Sequence, residues 1–293
     1  MRPVSYGRFL SAILGTGVLL RIGVVLAIPT RPVSDFLGHL HVAENLARTG
    51  RYEAASGVPD GRRSPAYPVL LSLPLRLTAS EDDLRTIKLT NLGLAVLAGL
   101  SGATLARRLW GDAAGLWTAA LISFLPRSVL MADLVAAENL LAPLLLVFLL
   151  LCVPSWAGNF SLTRATALGA VAGLLCLTRA VLYPAPLVWI AGAAAFRRPW
   201  RALAKELLLI LAVEHAVLLP WAFRNQAAFG RFTPFNMVGG GGLFIANHPH
   251  AGGQWYPWQA DLERLQPGVL ARGPVAADDA ARREAWRWIR AHP

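Results

Sequence analysis

The sequence predicts an all-α polytopic membrane protein with about seven transmembrane helices and a long amphipathic first loop. Three observations predict it. Hydrophobic residues make up 55% of the 293 and charged residues only 15%, a balance that soluble domains seldom reach. The apolar residues gather into runs of membrane-crossing length, separated by short polar segments. Lysine and arginine outnumber the acids 28 to 17, and much of that charge sits in those short segments. In a soluble protein a net charge of +11 would suggest nucleic acid. Here topology and attraction to anionic membrane lipids account for it, and no nucleic-acid partner is expected.

The first run, Phe9 to Ile28, is long enough to cross once. With Arg2 and Arg8 before it, it imitates a signal peptide. It is too long for one, contains Arg21 and lacks a small-residue cleavage site, so it reads as a retained helix. An arginine at the bilayer centre costs roughly 2.5–3.5 kcal/mol, so Arg21 is expected to snorkel outward or to pair with an acid inside the bundle. Pro29 and Pro32 end this helix and open the first loop, 29–85. Within it, Val33 to Tyr52 carries Asp35, His39, His41 and Glu44 in an amphipathic helical pattern. A Gly/Pro/Arg-rich turn region follows, then Val69 to Leu77, a short apolar piece read as an interfacial or re-entrant helix.

The remaining runs read as spans two to seven. They cover about Ile87 to Ala106, Ala114 to Leu130, Asn139 to Val153, a stretch ending at Arg179, Val181 to Phe196, and Leu203 to Pro220. The transmembrane module is therefore 1–221. Residues 222–293 are polar, with Gly239 to Gly242 read as a flexible or tight-turn segment, and they read as the start of an extracytoplasmic region that is incomplete, a C-terminal truncation. Cys152 and Cys176 fall in apolar runs, which predicts buried thiols and no disulfide framework. Scarce lysine beside abundant arginine points to a GC-rich bacterial genome and so to the inner (plasma) membrane.

With the N-terminus in the cytoplasm, Arg2, Arg8, Arg107, Arg108, Arg164 and the Arg197 to Lys205 cluster all lie inside, as the positive-inside rule requires. Seven crossings then put Asp35, Asp133, Glu138, Arg179, Arg224 and Asn225 at the outer ends of helices. Asn159-Phe-Ser161 is a formal glycosylation sequon in a cytoplasmic loop and carries little meaning there.

Those residues suit chemistry at a membrane boundary. Asp35 reads either as a general base for an acceptor hydroxyl or amine or as a cap of the loop helix, a role open to Ser34 as well. His39, four residues on, shares its helical face; one Asp–His pair is weak as a metal set, and no metal ligands are assigned. Glu138 reads as a functional acid or as a carboxylate favoured at a helix N-terminus, and Asp133 as a solvated loop residue. Arg179 and Arg224 suit either a lipid phosphate held by a bidentate fork or snorkelling to headgroups. Gly239 to Gly242 precedes no Gly-Lys-Ser/Thr and is not a phosphate loop.

Five ordered motifs run along the chain: Asp35-x3-His39-x3-Ala43-x2-Leu46-x3-Gly50-x-Tyr52, Ser64-Pro-Ala-Tyr67-Pro68, Ala136-Ala-Glu138-Asn-Leu, Gly169-x3-Gly173-x5-Arg179, and Leu219-Pro-Trp-Ala-Phe-Arg224-Asn225 with Phe229-Gly230. Together they resemble the membrane-embedded GT-C glycosyltransferases, in the branch of protein O-mannosyltransferases and the lipid A aminoarabinose transferase. His39 stands where an aromatic is more common, and Phe36 where some relatives carry an acid. The resemblance implies a GT-C fold and transfer of a sugar from a polyprenyl-phosphate donor to a lipid, glycan or protein acceptor outside the cytoplasm. It implies Asp35 as catalytic base and Glu138 as a second catalytic acid orienting a partner group or a metal. Arg179 and Arg224 would bind the donor phosphate, and His39, Tyr67 and Asn225 the substrate. It firmly implies no cofactor and leaves room for a divalent cation. The rival readings are a transporter or flippase, which would place charges at mid-membrane and repeat its topology, and a noncatalytic scaffold. The ionisable residues cluster at one face apart from Arg21, and no internal repeat is visible.

Overall fold

A computed structural model describes residues 5–55, 57–78, 83–158, 160–196, 199–250 and 256–292. Arg2, Arg197, Arg198 and the sequon's Asn159 lie outside the described residues. Among the described residues the chain is all-α apart from one small hairpin. In order it forms α1 (Tyr6–Ala27), α2 (Ser34–Thr49), β1 (Glu53–Ala55) antiparallel to β2 (Val58–Pro59), α3 (Ala66–Thr78), α4 (Asp83–Trp110) and α5 (Asp112–Phe124). Next come α6 (Pro126–Met131), α7 (Glu138–Ala157), α8 (Leu162–Thr178), α9 (Ala185–Ala195) and α10 (Trp200–Phe229). α11 (Gly239–Ala246), α12 (Gln259–Leu265) and α13 (Pro274–Ala291) complete it. Two compact units result, Met1–Pro59 with Pro65–Leu219, and Asp60–Ser64 with Pro220–Pro293.

Among the described residues three helices, α1, α4 and α7, are long and apolar enough to cross a membrane, and α5, α8 and Ala180–Ala195 are apolar but shorter. The architecture fits a membrane protein. Several element bounds differ from the sequence reading, each for a local reason. The run expected as one span from Ala114 to Leu130 breaks at Leu125, because Pro126 disfavours helical backbone in the residue before it. The run from Val181 starts as a 3-10 turn, and α9 begins only after Pro184. The last run, expected to stop at Pro220, passes through that proline and ends at Gly230, whose φ of 69° is a left-handed stop.

The ends of the first unit can be told apart by their contacts. At one end the Arg107 guanidinium lies 4.1 Å over the Tyr6 ring, which joins the end of α4 to the start of α1. Arg164 donates to the Pro154 carbonyl at 3.1 Å and Trp156 to that of Trp189 at 3.0 Å, which joins α7, α8 and α9. At the other end α2 and α3 pack against the start of α4 and the segment before α7, through Ala43, Tyr67, Leu71, Ile87, Leu94, Val135 and Ala137.

α8 and α10 approach closely because α8 presents small residues. A methyl at Gly169 would lie 2.8 Å from Val213 Cβ, and one at Gly173 2.7 Å from Val217 Cβ. Such stripes drive helix association in lipid, where burial of apolar surface supplies no force. On α10 itself Glu206 and Glu214 are fully buried. The sequence reading, which confined ionisable groups to one face apart from Arg21, is corrected here. Neither Glu214 oxygen has a hydrogen-bond partner among the described residues.

Arg21 does not snorkel, and among the described residues it meets no acid. It is buried, and its two terminal nitrogens donate to the carbonyls of Gly17 (3.1 Å), Ser123 (2.9 Å), Ile122 (2.6 Å) and Ser128 (3.3 Å). Ile122 and Ser123 lie in the last turn of α5, whose carbonyls lose their helical partners at the Leu125 break. The expected snorkelling fails because this cation has a nearer counter-charge in the negative end of a helix.

The second unit has its own core, with Phe244, Trp258, Leu262, Val269 and the alanine face of α13 in contact. The glycine run expected to be a turn is instead the first turn of α11. Asp278 Oδ1 accepts from the Gly240 N–H at 2.5 Å, and a methyl at Gly241 would meet the Trp258 ring at 2.5 Å. The glycines allow α11 to lie against α13. Cys152 and Cys176 are free and buried.

Replacing Arg21 by leucine should destabilise the detergent-solubilised protein by at least about 3 kcal/mol, since several buried carbonyls lose a charged donor. Thermal unfolding measures it; unchanged or raised stability would mean that the guanidinium is dispensable to α5.

Candidate functional site

α2 forms because its apolar residues recur at helical spacing and bury against α3 and α4 through Phe36, Leu40, Ala43 and Ala47. It ends at Gly50, φ 72°, in a left-handed cap. It begins less comfortably. Ser34 takes φ 53°, a region that costs a non-glycine residue about 1–3 kcal/mol and is often found at functional sites. Asp35 follows at once, exposed, in the first turn of α2.

One turn on, His39 sets its ring edge-on to Tyr67 of α3, with centroids 5.7 Å apart. Tyr67 is fully buried, and its Oη donates to Asn91 Oδ1 of α4 at 2.8 Å. Burial holds its pKa well above the ordinary tyrosine value, so it acts as a donor and not as an acid. Asn91 Nδ2 donates to the Leu134 and Ala132 carbonyls at 2.9 and 3.3 Å, and Asn139 Nδ2 also reaches Leu134 at 2.9 Å. Together the ring contact and these hydrogen bonds lead from α2 to the first turn of α7. There Glu138 forms an ion pair with Arg179, the residue that ends α8. The helix dipoles favour both, an acid at an N-terminus and a base at a C-terminus.

Beside that pair lies a cleft of about 290 Å³ with apolar walls from Leu94, Ala98 and Ile122, also lined by Arg21, Arg127 and Glu138. On α2, Glu44 is half-buried and its pKa is raised by burial and by the nearby Asp83 carboxylate.

Asp133 is not the solvated loop residue expected. It is 4% exposed. Lys88 Nζ of α4 forms an ion pair with its Oδ1 at 2.6 Å, and Thr30 donates to its Oδ2. Lys88 also donates to the Ile28 carbonyl at 3.3 Å, so it ties the end of α1 to the segment before α7. Sequence reasoning passed over both Lys88 and Asn91. The available signal was two polar residues three apart in an otherwise apolar run.

In the second unit Arg224 donates to the Asp60 carbonyl at 2.7 Å and to Asn225 Oδ1 at 3.1 Å. Its guanidinium also lies 4.7 Å over Trp221 and 5.0 Å over Phe229. Asn225 is buried, with Nδ2 bonded to the Thr233 and Phe235 carbonyls at 2.8 and 3.1 Å. Asp60, unnoticed in the sequence, accepts from the Arg62 and Arg63 N–H groups and pairs with Arg63 Nη1 at 2.6 Å. The structure thus brings His39, Tyr67, Glu138 and Arg179 into one connected region of the first unit, with Asp35 one turn before His39. It commits Tyr67 and Asn225 to internal bonds.

Breaking the buried Lys88–Asp133 pair from one side should cost about 3–5 kcal/mol, because the other charge is left uncompensated. Thermal unfolding of Lys88→Met, Asp133→Leu and the double variant checks it, with the double variant expected to recover much of the loss. Neither a scan against protein-family models nor a search of curated proteins returns a match for this chain.

Proposed function

We propose that this chain is an integral membrane glycosyltransferase of GT-C type. It would cross the membrane about seven times, keep its N-terminus in the cytoplasm and work outside it on a polyprenyl-phosphate sugar. The observation that carries the proposal is the path of ring contact, hydrogen bonds and ion pair from the Asp35 helix through Tyr67, Asn91 and Leu134 to Asn139, Glu138 and Arg179. Motifs separated by more than a hundred residues in the sequence meet through it. The apolar cleft beside Glu138 suits a length of isoprenoid chain, since the donor's tail stays in the bilayer.

In this reaction the acceptor oxygen or nitrogen attacks the anomeric carbon, and Asp35 takes its proton. The bond from that carbon to the phosphate oxygen breaks, with inversion, and leaves polyprenyl phosphate. The phosphate goes from a diester with one negative charge to a monoester approaching two. Arg179 therefore binds the leaving group more strongly than the donor, which is the differential binding that lowers a barrier. Glu138 holds the Arg179 guanidinium until a phosphate takes its place. The assignment of Arg224 to the phosphate, and any divalent cation near Glu138, rests on the resemblance alone.

Glu206 and Glu214 favour a second reading, a transporter for a lipid-linked or small polar substrate. Buried carboxyls within an apolar helix are the usual mark of a proton or ion path.

Membranes carrying the protein, given radiolabelled polyprenyl-phosphate sugars, separate the two. Asp35→Asn is expected to lower transfer by about 10²–10⁴, the usual contribution of a general base, with folding preserved. Transfer untouched by Asp35→Asn would remove Asp35 from the site. Absence of transfer with every donor, from correctly inserted protein, would overturn the enzyme reading.

A further inference from the structure

The second unit holds a cluster that the glycosyltransferase reading does not use. His248 and His250 flank Pro249 just beyond α11, and Asp261 stands on the first turn of α12. One ligand-type atom from each of the three lies within 4.8 Å of the others. We infer that His248, His250 and Asp261 form a binding site for one divalent transition-metal ion of the zinc class.

His248 and Asp261 are held by the fold. His248 is 9% exposed, and its ring packs 4.5 Å from that of Phe244, itself part of the core between α11 and α13. Asp261 precedes Leu262, which is fully buried in the same core. Arg264 Nη1 donates to Asp261 Oδ1 at 3.2 Å. That fixes the carboxylate and leaves Oδ2 facing His250 Nδ1 at 3.3 Å. His250 is exposed, and its ring centroid lies 5.1 Å from that of His248.

Coordination by zinc requires nitrogen at about 2.0–2.1 Å and oxygen at about 2.0–2.2 Å from the ion. Ligand atoms around a tetrahedral ion are then about 3.3–3.5 Å apart. The pair of His250 and Asp261 already has that spacing, and rotation of the exposed His250 ring closes the rest. The long bond from the His250 N–H to His248 Nδ1, 3.3 Å, is weak enough to give way to a metal. Two imidazoles and a carboxylate select zinc, cobalt, nickel or copper over calcium and magnesium, which prefer oxygen alone. Three protein ligands leave a fourth position for water or for a substrate oxygen. A bound ion would staple the segment after α11 to α12. An unmetallated surface pair of His250 with Asp261 is the competing account, and it predicts no stoichiometric metal binding.

The test uses the full chain, purified in detergent and stripped with chelator, titrated with Zn²⁺ by calorimetry and with Co²⁺ by visible absorption. One equivalent is expected to bind, with the intense visible bands of four-coordinate cobalt. His250→Ala and the near-isosteric Asp261→Asn should each weaken binding at least about 100-fold, since each removes a ligand. His41→Ala and His292→Ala, at exposed histidines elsewhere, should leave it unchanged. Zn²⁺ should raise the melting temperature of the wild type and not that of the two ligand variants, whose circular dichroism reports their fold. Absence of stoichiometric binding by the wild type, a six-coordinate cobalt spectrum, or equal binding by folded His250→Ala would overturn the site. None of these readouts involves sugar transfer, so the site and the enzyme reading stand or fall separately.

Discussion

Inside an apolar bundle a backbone carbonyl that has lost its helical partner must find a donor on a side chain, because no water is available to replace it. The first unit has such carbonyls at the end of α5 and in the segment before α7. Two side chains reach them. Arg21 reaches across from α1 to Ile122, Ser123 and Ser128. Asn91 reaches from α4 to Ala132 and Leu134. The second arrangement matters more for chemistry. Its acceptor oxygen is taken by Tyr67, so the break that frees the start of α7 is also what anchors α3 and, through His39, the Asp35 helix. The site region is built on the repair of a helix break.

That dependence explains which parts of the molecule could be read from the residues alone. α1, α4 and α7 were legible because their apolar length has few alternatives in water or lipid. α2 was legible from its period. Helix ends set by proline were harder, since Pro126 breaks its run while Pro220 lies inside α10 without ending it. Local sequence does not decide between these outcomes; the partner that receives the freed carbonyls does. Arg21 supplies one at the α5 break. The site shows the same division. Glu138 and Arg179 were visible as ionisable residues at the ends of apolar runs. Lys88, Asn91 and Asp133 act through partners about 40–100 residues away, and no local pattern encodes a long-range partner.

The glycine run from Gly239 to Gly242 was misread for a related reason. Glycine lowers helix propensity by about 1 kcal/mol per residue, which argues for a turn. The tertiary gain is the close approach of α11 to α13, sealed by Asp278 receiving the Gly240 N–H. Packing overrides propensity where only a hydrogen atom fits.

The ion pairs of the first unit also differ in what they can exchange. Lys88 and Asp133 have side chains 7% and 6% exposed, and separating them would strand two charges in the interior. Arg179 and Glu138 are 48% and 41% exposed. A pair so open to solvent is worth at most about 1 kcal/mol. A guanidinium held that loosely gives up its carboxylate at little cost when an anion with two oxygens in the right plane arrives. Solvation of the released Glu138 offsets most of what is lost. The buried pair therefore suits a joint that must hold, and the exposed pair suits a group that must change partners during a reaction. Under the glycosyltransferase reading the difference is useful in a further way. The carboxylate competes better with a singly charged donor than with the more highly charged phosphate that leaves, so Glu138 weakens ground-state binding more than it weakens the interaction at the moment of bond breaking.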